Sequence, residues 1–254
     1  MRTASWTESV SVLDRVTAVF DAFGDSDDGL GVSELARRAN LPKSTVSRIA
    51  ADLVVQRFLD RDGDKLYLGV RLFELGQTVE QPRVLRQAAI PVMTELRDMT
   101  GQTVHLAVLD GSDVVVVAIM RGAPTATPMV RIGGRFLAHA TALGKAILAH
   151  SPRDVVERVV GRGLESRTPH TITDPSVLLQ NLADIRRLGV ATEVEELALG
   201  RTCTAAAILG HGGAPVAALS VAGAVEDVLP ERVGPSVRAA AATLSRRISS
   251  DRAH

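Results

Sequence analysis

Apolar residues at Val12, Leu13, Val16, Val19, Phe20 and Phe23 recur with helical spacing and predict an amphipathic helix over Val10 to Phe23. An Asp- and Gly-rich turn follows, from Gly24 to Gly31. A second helix opens at Val32-Ser33-Glu34, with Ser33 as the expected N-cap and Leu35, Ala36 and Ala39 facing inward. Asn40 suits a left-handed helix end, and Pro42 suits the start of a new helix. That third helix, with Ser44 or Thr45 as its cap, lines up Val46, Ile49, Ala50 and Leu53 on one face to about Gln56. Lys43, Ser44, Thr45, Ser47 and Arg48 are left on the other face. Two short β-prone runs, Phe58 to Arg61 and Lys65 to Leu68, flank Asp62-Gly63 and predict a hairpin.

Beyond this unit the pattern changes. Helices are predicted over Val70 to Val79 and Arg83 to Met99, with Pro82 and Pro91 as candidate kinks. The rest mixes hairpins with helices. Thr103 to Leu109 pairs with Val114 to Met120, and Thr202 to Leu209 pairs with Pro215 to Gly223. Helices are expected over Thr141 to His150, Arg153 to Val160, Ser176 to Leu188 and Glu231 to Ser249. Such a pattern implies an α+β class with an antiparallel sheet. The expected organisation is an N-terminal domain over residues 1–80, a linker helix over 81–100 and a C-terminal domain over 101–254.

Composition sharpens the division. Six of the seven aromatic residues lie at or before Phe73, and only Phe136 follows, so the second core must be aliphatic. One cysteine, Cys203, excludes an internal disulfide framework and fits a reducing compartment. No run approaches 18 apolar residues and no leader pattern opens the chain, so a cytoplasmic chain with no membrane partner is expected. The formal net charge is zero. Ser9 to Glu80 is even slightly acidic, with nine Lys/Arg against twelve Asp/Glu. A nucleic-acid contact therefore needs local clustering. Leu35 to Ala51 supplies it, holding Arg37, Arg38, Lys43 and Arg48 with no acid.

A DNA-reading helix needs a rigid neighbour and short polar or basic side chains near its start. The stretch LPKSTVSR has both. Ser44, Thr45 and Ser47 are short hydrogen-bonding groups, Arg48 can reach a base edge or a phosphate, and Lys43 favours phosphate. Ser33 lies on the neighbouring helix, while Arg61 and Lys65 place charge on the wing. The plain alternative is a helical hairpin with a solvated basic face, which the hairpin directly after the third helix makes less economical.

The segment from Val10 to Gln77 resembles the winged helix-turn-helix domain of IclR-type bacterial transcriptional regulators. SVLDRVTAVFDAF, VSELARRANLPKSTVSRIAADLVVQRFL and YLGVRLFELG carry the likeness. It continues through LAHATALGKAILA, TPHTITDP, LADIRRLGVATEVEELALGRTCTAAAIL and PVAALSVAG, and so covers nearly the whole chain. The resemblance implies a sequence-specific regulator of transcription, repressor or activator. Its partners would be double-stranded operator DNA, a small-molecule effector held in a C-terminal GAF-like domain, and further copies of itself as a homodimer or dimer of dimers. No cofactor and no enzymatic activity are expected.

The resemblance also implies an effector pocket bordered by Glu193, Arg201, Cys203, Ser220 and Ala222. Glu193 stands where Asp is common, and Ala222 stands where a second serine can occur. From the residues themselves, His139, Ala140, Thr141 and Ala142 precede a helix whose open N–H groups would attract an anion, with Lys145 one turn in. A packed capping turn is the plain alternative there. Met129, Leu137 and Val221 are expected to line an aliphatic pocket suited to a compact organic acid. Cys203 as a nucleophile, with His139 or His211 as base, has no supporting motif. A metal site from Cys203, Glu193 and His139 lacks short ligand spacing, so no metal is expected. His105, His150 and His170 read as ordinary polar residues.

Overall fold

The computed structural model describes residues 11–24, 28–122 and 130–251. The chain divides into two compact units, Met1–Glu80 and Gln81–His254.

In the first unit, α1 (Val12–Asp21) is opened by Ser11, whose hydroxyl accepts the Asp14 N–H while the Asp14 carboxylate accepts the Ser11 N–H. Val16, Val19, Phe20 and Phe23 carry its packing, whereas Val12 and Leu13 face solvent. β1 (Leu30–Gly31) falls inside the expected turn and sets Leu30 opposite Leu66. α2 (Val32–Ala39) begins at an N-cap of Gly31, so Ser33 is its second residue and not its cap. Asn40 closes the helix at φ 52°, ψ 44°, the left-handed end its side chain tolerates. α3 (Lys43–Val55) follows, with Pro42 as N-cap; neither Ser44 nor Thr45 caps it. Leu35, Val46, Ala50, Leu59 and Leu66 are the fully buried centre, at roughly 1.5–3 kcal/mol for each large aliphatic side chain. The wing is β2 (Leu59–Asp62) and β3 (Lys65–Leu68), turning at Gly63. α4 (Val70–Gln77) returns over it, with Arg71 stacked 5.0 Å above the Phe58 ring.

The second unit is a six-stranded antiparallel sheet covered by helices on both faces. α5 (Glu80–Thr100) is continuous through Pro91 and is built into this unit. Its Leu85, Ala89, Val92, Met93 and Leu96 lie in the core, where a free-standing linker would leave them exposed. Then come β4 (Thr103–Asp110), β5 (Asp113–Met120) and β6 (Arg135–Leu137). α6 (Ala142–His150), α7 (Arg153–Gly161) and α8 (Pro175–Leu188) precede β7 (Ala191–Val194). β8 (Arg201–Leu209), β9 (Pro215–Ala224) and α9 (Pro230–Asp251) complete it. Strand order is β6-β5-β4-β9-β8-β7.

The period of two along each strand sorts the side chains between the faces. Ala217, Leu219 and Val221 of β9 pack with α5 and α9. Ala218 faces α6 and α8. Val221, expected in the pocket wall, therefore belongs to the opposite core. α6 is buried from Ala142 to Ala149. Gly144 lets it sit that deep, because a Cβ there would lie 2.1 Å from the Ala138 carbonyl oxygen.

Candidate functional site

Two surfaces carry concentrated polar chemistry, one in each unit. On α3, Val46, Ile49, Ala50 and Leu53 face the core. Lys43, Ser44, Ser47 and Arg48 are exposed and Thr45 is half-buried. No side chain caps the first amides of α3, so its N-terminus offers uncommitted N–H donors to an anion. Arg37 and Arg38 of the basic window are already engaged. Both pair with Glu34, at 2.6 and 2.7 Å, and the hydrogen bonds they donate hold its carboxyl down at about 2. Ser33 is exposed on α2. On the wing Arg61 is exposed, and Lys65 donates to the Asp28 carbonyl at 2.8 Å. Asp60, Asp62 and Asp64 surround them, also exposed, so the wing carries more acid than base.

The second surface is a cavity of about 90 Å³ on the α6 side of the sheet. That is room for several water molecules, and so for a compact organic molecule. Its floor is a row of directly opposed residues across four strands: Thr103, Ala222, Cys203 and Glu193. His105 lies two residues along β4 from Thr103, on the same face. Thr141, Ala142 and Leu143 at the start of α6 form part of the wall, with Val114, Val116, Val130 and Phe136. Leu197, Ala198 and Arg201 close the β8 end.

One irregularity brings a further charge in. The register of β4 on β5 jumps between Leu106 and Ala107, leaving Val117 as the extra residue of a bulge. Val114 and Val116 face the cavity before the bulge, and Arg121 does so after it. Strict alternation would have placed Arg121 on the other face. Gly122 fixes the spot by packing on Gln102, where a Cβ would come within 2.4 Å of backbone, and its N–H donates to Thr103 Oγ1 at 3.2 Å.

Burial pushes the Glu193 carboxyl up to about 7, helped by the Glu196 charge and opposed by the Leu197 N–H, which donates to it at 3.0 Å. Burial and the Glu193 charge push the Cys203 thiol up to about 12. A thiol held protonated this firmly is a poor nucleophile. Burial, then the charges of Arg201 and Arg121, hold His105 down at about 4, leaving a neutral imidazole. Lys145 is fully buried and pairs with Glu196 at 2.5 Å, so its charge is spent inside the fold.

Of the pocket residues expected from sequence, Thr141, Ala142, Glu193, Arg201, Cys203 and Ala222 meet at this cavity. Leu137, His139, Ala140 and Ser220 do not line it. His139 donates through Nε2 to the Glu165 carbonyl at 3.1 Å and Ala140 is buried in the turn before α6, which is the packed capping turn weighed above. Met129 lies outside the described residues. Thr103, His105 and Arg121 were missed, and His105 is a wall residue rather than an ordinary polar one. Among the described residues no group of three or more His, Cys, Asp or Glu is placed to hold a metal ion, and no helix is long and apolar enough to cross a membrane.

A winged helix-turn-helix unit joined to a sheet domain with a mostly apolar cavity that carries a few charged side chains defines the class: a DNA-binding protein with a ligand-sensing module. Comparison with known proteins supplies the family. Residues 12–63 match the IclR helix-turn-helix domain, and residues 77–250 match the bacterial transcriptional regulator IclR C-terminal domain. The transcriptional repressor IclR of Escherichia coli K12 is 32% identical over 91% of this chain and 86% of its own length. The transcriptional repressor AllR of Klebsiella pneumoniae is 30% identical, covering 94% and 90%. An IclR homologue from Microbacterium hydrocarbonoxydans, crystallised with 4-hydroxybenzoate, superposes with a TM-score of 0.85 at 29% identity, over 94% of this chain and all of that one. The chain belongs to the IclR family of bacterial transcriptional regulators. It is a DNA-binding regulator with an effector-binding domain, not an enzyme.

Proposed function

We propose that α3 enters the major groove of operator DNA and that the second-unit cavity binds a small carboxylic acid that changes operator affinity. Arg48 reads a base edge, while Lys43 and the α3 amides hold phosphate; Ser44, Thr45 and Ser47 let the helix approach closely. Arg61 and Lys65 of the wing, with Ser33, add weaker contacts. Two copies, as a homodimer or a dimer of dimers, present a pair of such helices to a pseudo-palindromic site. The setting is the cytoplasm, where operator and metabolite meet.

One observation carries the effector reading: a mostly aliphatic cavity bounded by two arginines and a helix N-terminus, with its nearest carboxyl group raised toward neutrality. The acid bound by the Microbacterium homologue supports the same ligand class. Such a ligand acts only by binding the DNA-competent and DNA-incompetent arrangements with different affinity. The test is operator binding by the full chain, read by fluorescence anisotropy with and without a panel of small acids. A shift in operator affinity with one of them, lost on filling the cavity by Ala222→Phe, is expected. Operator affinity indifferent to every acid that binds would overturn it.

A further inference from the structure

We propose that Arg121 and Arg201 form a carboxylate-binding pole of this cavity, and that Glu193, across its floor from Arg121, reads a second oxygen of the same ligand. This rests on the effector reading above and adds an orientation to it.

Arg121 and Arg201 both line the cavity, and among the described residues neither guanidinium makes a hydrogen bond or ion pair. Several other arginines of this unit are engaged, among them Arg135 with Asp110, Arg162 with Asp113 and Arg186 with the Ala149 carbonyl. Two guanidiniums left uncommitted beside one cavity call for an anion that can take both. Both charges act on His105, which sits between the row of Thr103 and the centre of the sheet. A neutral imidazole beside two arginines adds a donor to this pole without adding repulsion.

Glu193 is separated from Arg121 by strand order, whereas Arg201 starts on β8, next to β7, and its charge acts on His105, two strands away on β4. Arg121 follows β5, one residue past the Val104–Met120 pair, and β4, β9 and β8 lie between it and β7. Four steps at about 4.8 Å place the two backbones roughly 19 Å apart along the sheet. Side chains reaching inward from each end leave a gap for a compact molecule. Aliphatic groups flank it: Val114, Val116, Val130 and Leu143 on one side, Leu197 and Ala198 on the other. The ionisable groups around the cavity are His105 on β4, Arg121 after β5, Arg201 and Cys203 on β8 and Glu193 on β7, with the Lys145–Glu196 pair behind them. Only Glu193 changes charge near neutrality, since His105 titrates near 4 and Cys203 near 12. A protonated Glu193 donates to a keto or hydroxyl oxygen; an ionised one cannot, and also repels the ligand's own charge.

The test is calorimetric binding to the full chain of 4-oxopentanoate, its amide 4-oxopentanamide, and pentanoate, which lacks the distal oxygen. Wild type should prefer the keto acid to either analogue by tenfold or more at pH 6. The acid-over-amide preference should vanish in Arg121→Gln/Arg201→Gln, with the melting temperature of the unliganded protein held. The keto preference should fade as pH rises through about 7, and Glu193→Gln, a permanent donor, should keep the preference and flatten the profile. If acids bind but the double variant still discriminates against the amide, the arginine pole is wrong and the effector reading stands. If neither acid binds while operator DNA does, both fall.

Discussion

α3 and α6 use one device in two settings. Each starts with backbone amides that precede its first intrahelical bond, and each sets small residues around them: Ser44 and Thr45 on α3, Thr141 and Ala142 on α6. The α3 start is open to water, whereas α6 is buried from its first residue to Ala149. An open N-terminus is screened by salt and gains from a partner that brings many charges, such as a phosphate backbone. An enclosed one is screened less and admits only a ligand the cavity can hold. The setting, together with the Thr141 hydroxyl that takes the Gly144 N–H of α6 at 3.1 Å where α3 has no side-chain cap, separates the polyanion proposed for one helix from the small acid proposed for the other.

Breaking the enclosure should have the largest effect. Lys145 reaches from α6 to Glu196, whose other carboxylate oxygen is buried with no partner among the described residues. Lys145→Ala leaves that acid buried and unpaired, so a loss of about 3–5 kcal/mol is expected in urea unfolding. The milder Lys145→Met/Glu196→Leu pair should recover most of it. Helix α3 should be indifferent: any operator binding measured below the unfolding midpoint should stay at wild-type affinity. A single-variant loss under 1 kcal/mol would mean that α6 is held by packing alone.

The open helix should show the next largest effect, in binding rather than stability. Arg48→Ala is expected to weaken operator binding by about 1–3 kcal/mol and to relax preference at one base position, measured against single-base operator variants. Its melting temperature should match wild type, because Arg48 is exposed. Unchanged binding would remove Arg48 from the reading surface.

These two helices also divide what a sequence can show. The α3 assignment was legible because its signals are local: Asn40 at a left-handed end, Pro42 before the helix, Val46, Ile49, Ala50 and Leu53 at helical spacing. Its cap was misread, since Pro42 already sits at the N-cap and leaves Ser44 and Thr45 inside the helix. The cavity was legible only in part. Glu193, Cys203 and Ala222 share a row set by the pairing of β7, β8 and β9, yet β7 itself was not foreseen. Arg121 was hidden by a bulge at Val117 that no alternation rule anticipates. His105 looked ordinary because nothing local to TVHLAV says which face of β4 would meet two arginines.

A smaller effect should come from the turn that aims α3. Asn40 holds φ 52°. Asn40→Gly should be close to neutral in thermal unfolding, and Asn40→Ala should cost about 1–2 kcal/mol because a Cβ disfavours that conformation. Equal losses for both would assign the role of Asn40 to its amide group rather than to its backbone.

The smallest effects are expected on the wing, where they separate a reading surface from a merely adjacent one. Arg61 is flanked by Asp60 and Asp62, and Lys65 is tied to the Asp28 carbonyl at 2.8 Å. Each phosphate contact adds about 0.9 to the slope of log affinity against log salt. Lys43→Ala should therefore lower that slope by about 1, because Lys43 stands exposed beside the α3 amides. Arg61→Ala should lower it by less than half as much, its charge being offset by neighbouring carboxylates. Asp62→Asn should act in the opposite sense and strengthen binding to operator and random DNA alike, since it removes a like charge from the duplex without adding a base contact. A slope change for Arg61→Ala as large as that for Lys43→Ala would make the wing an equal partner in phosphate binding. The acids around it would then have to turn away from the duplex in the complex.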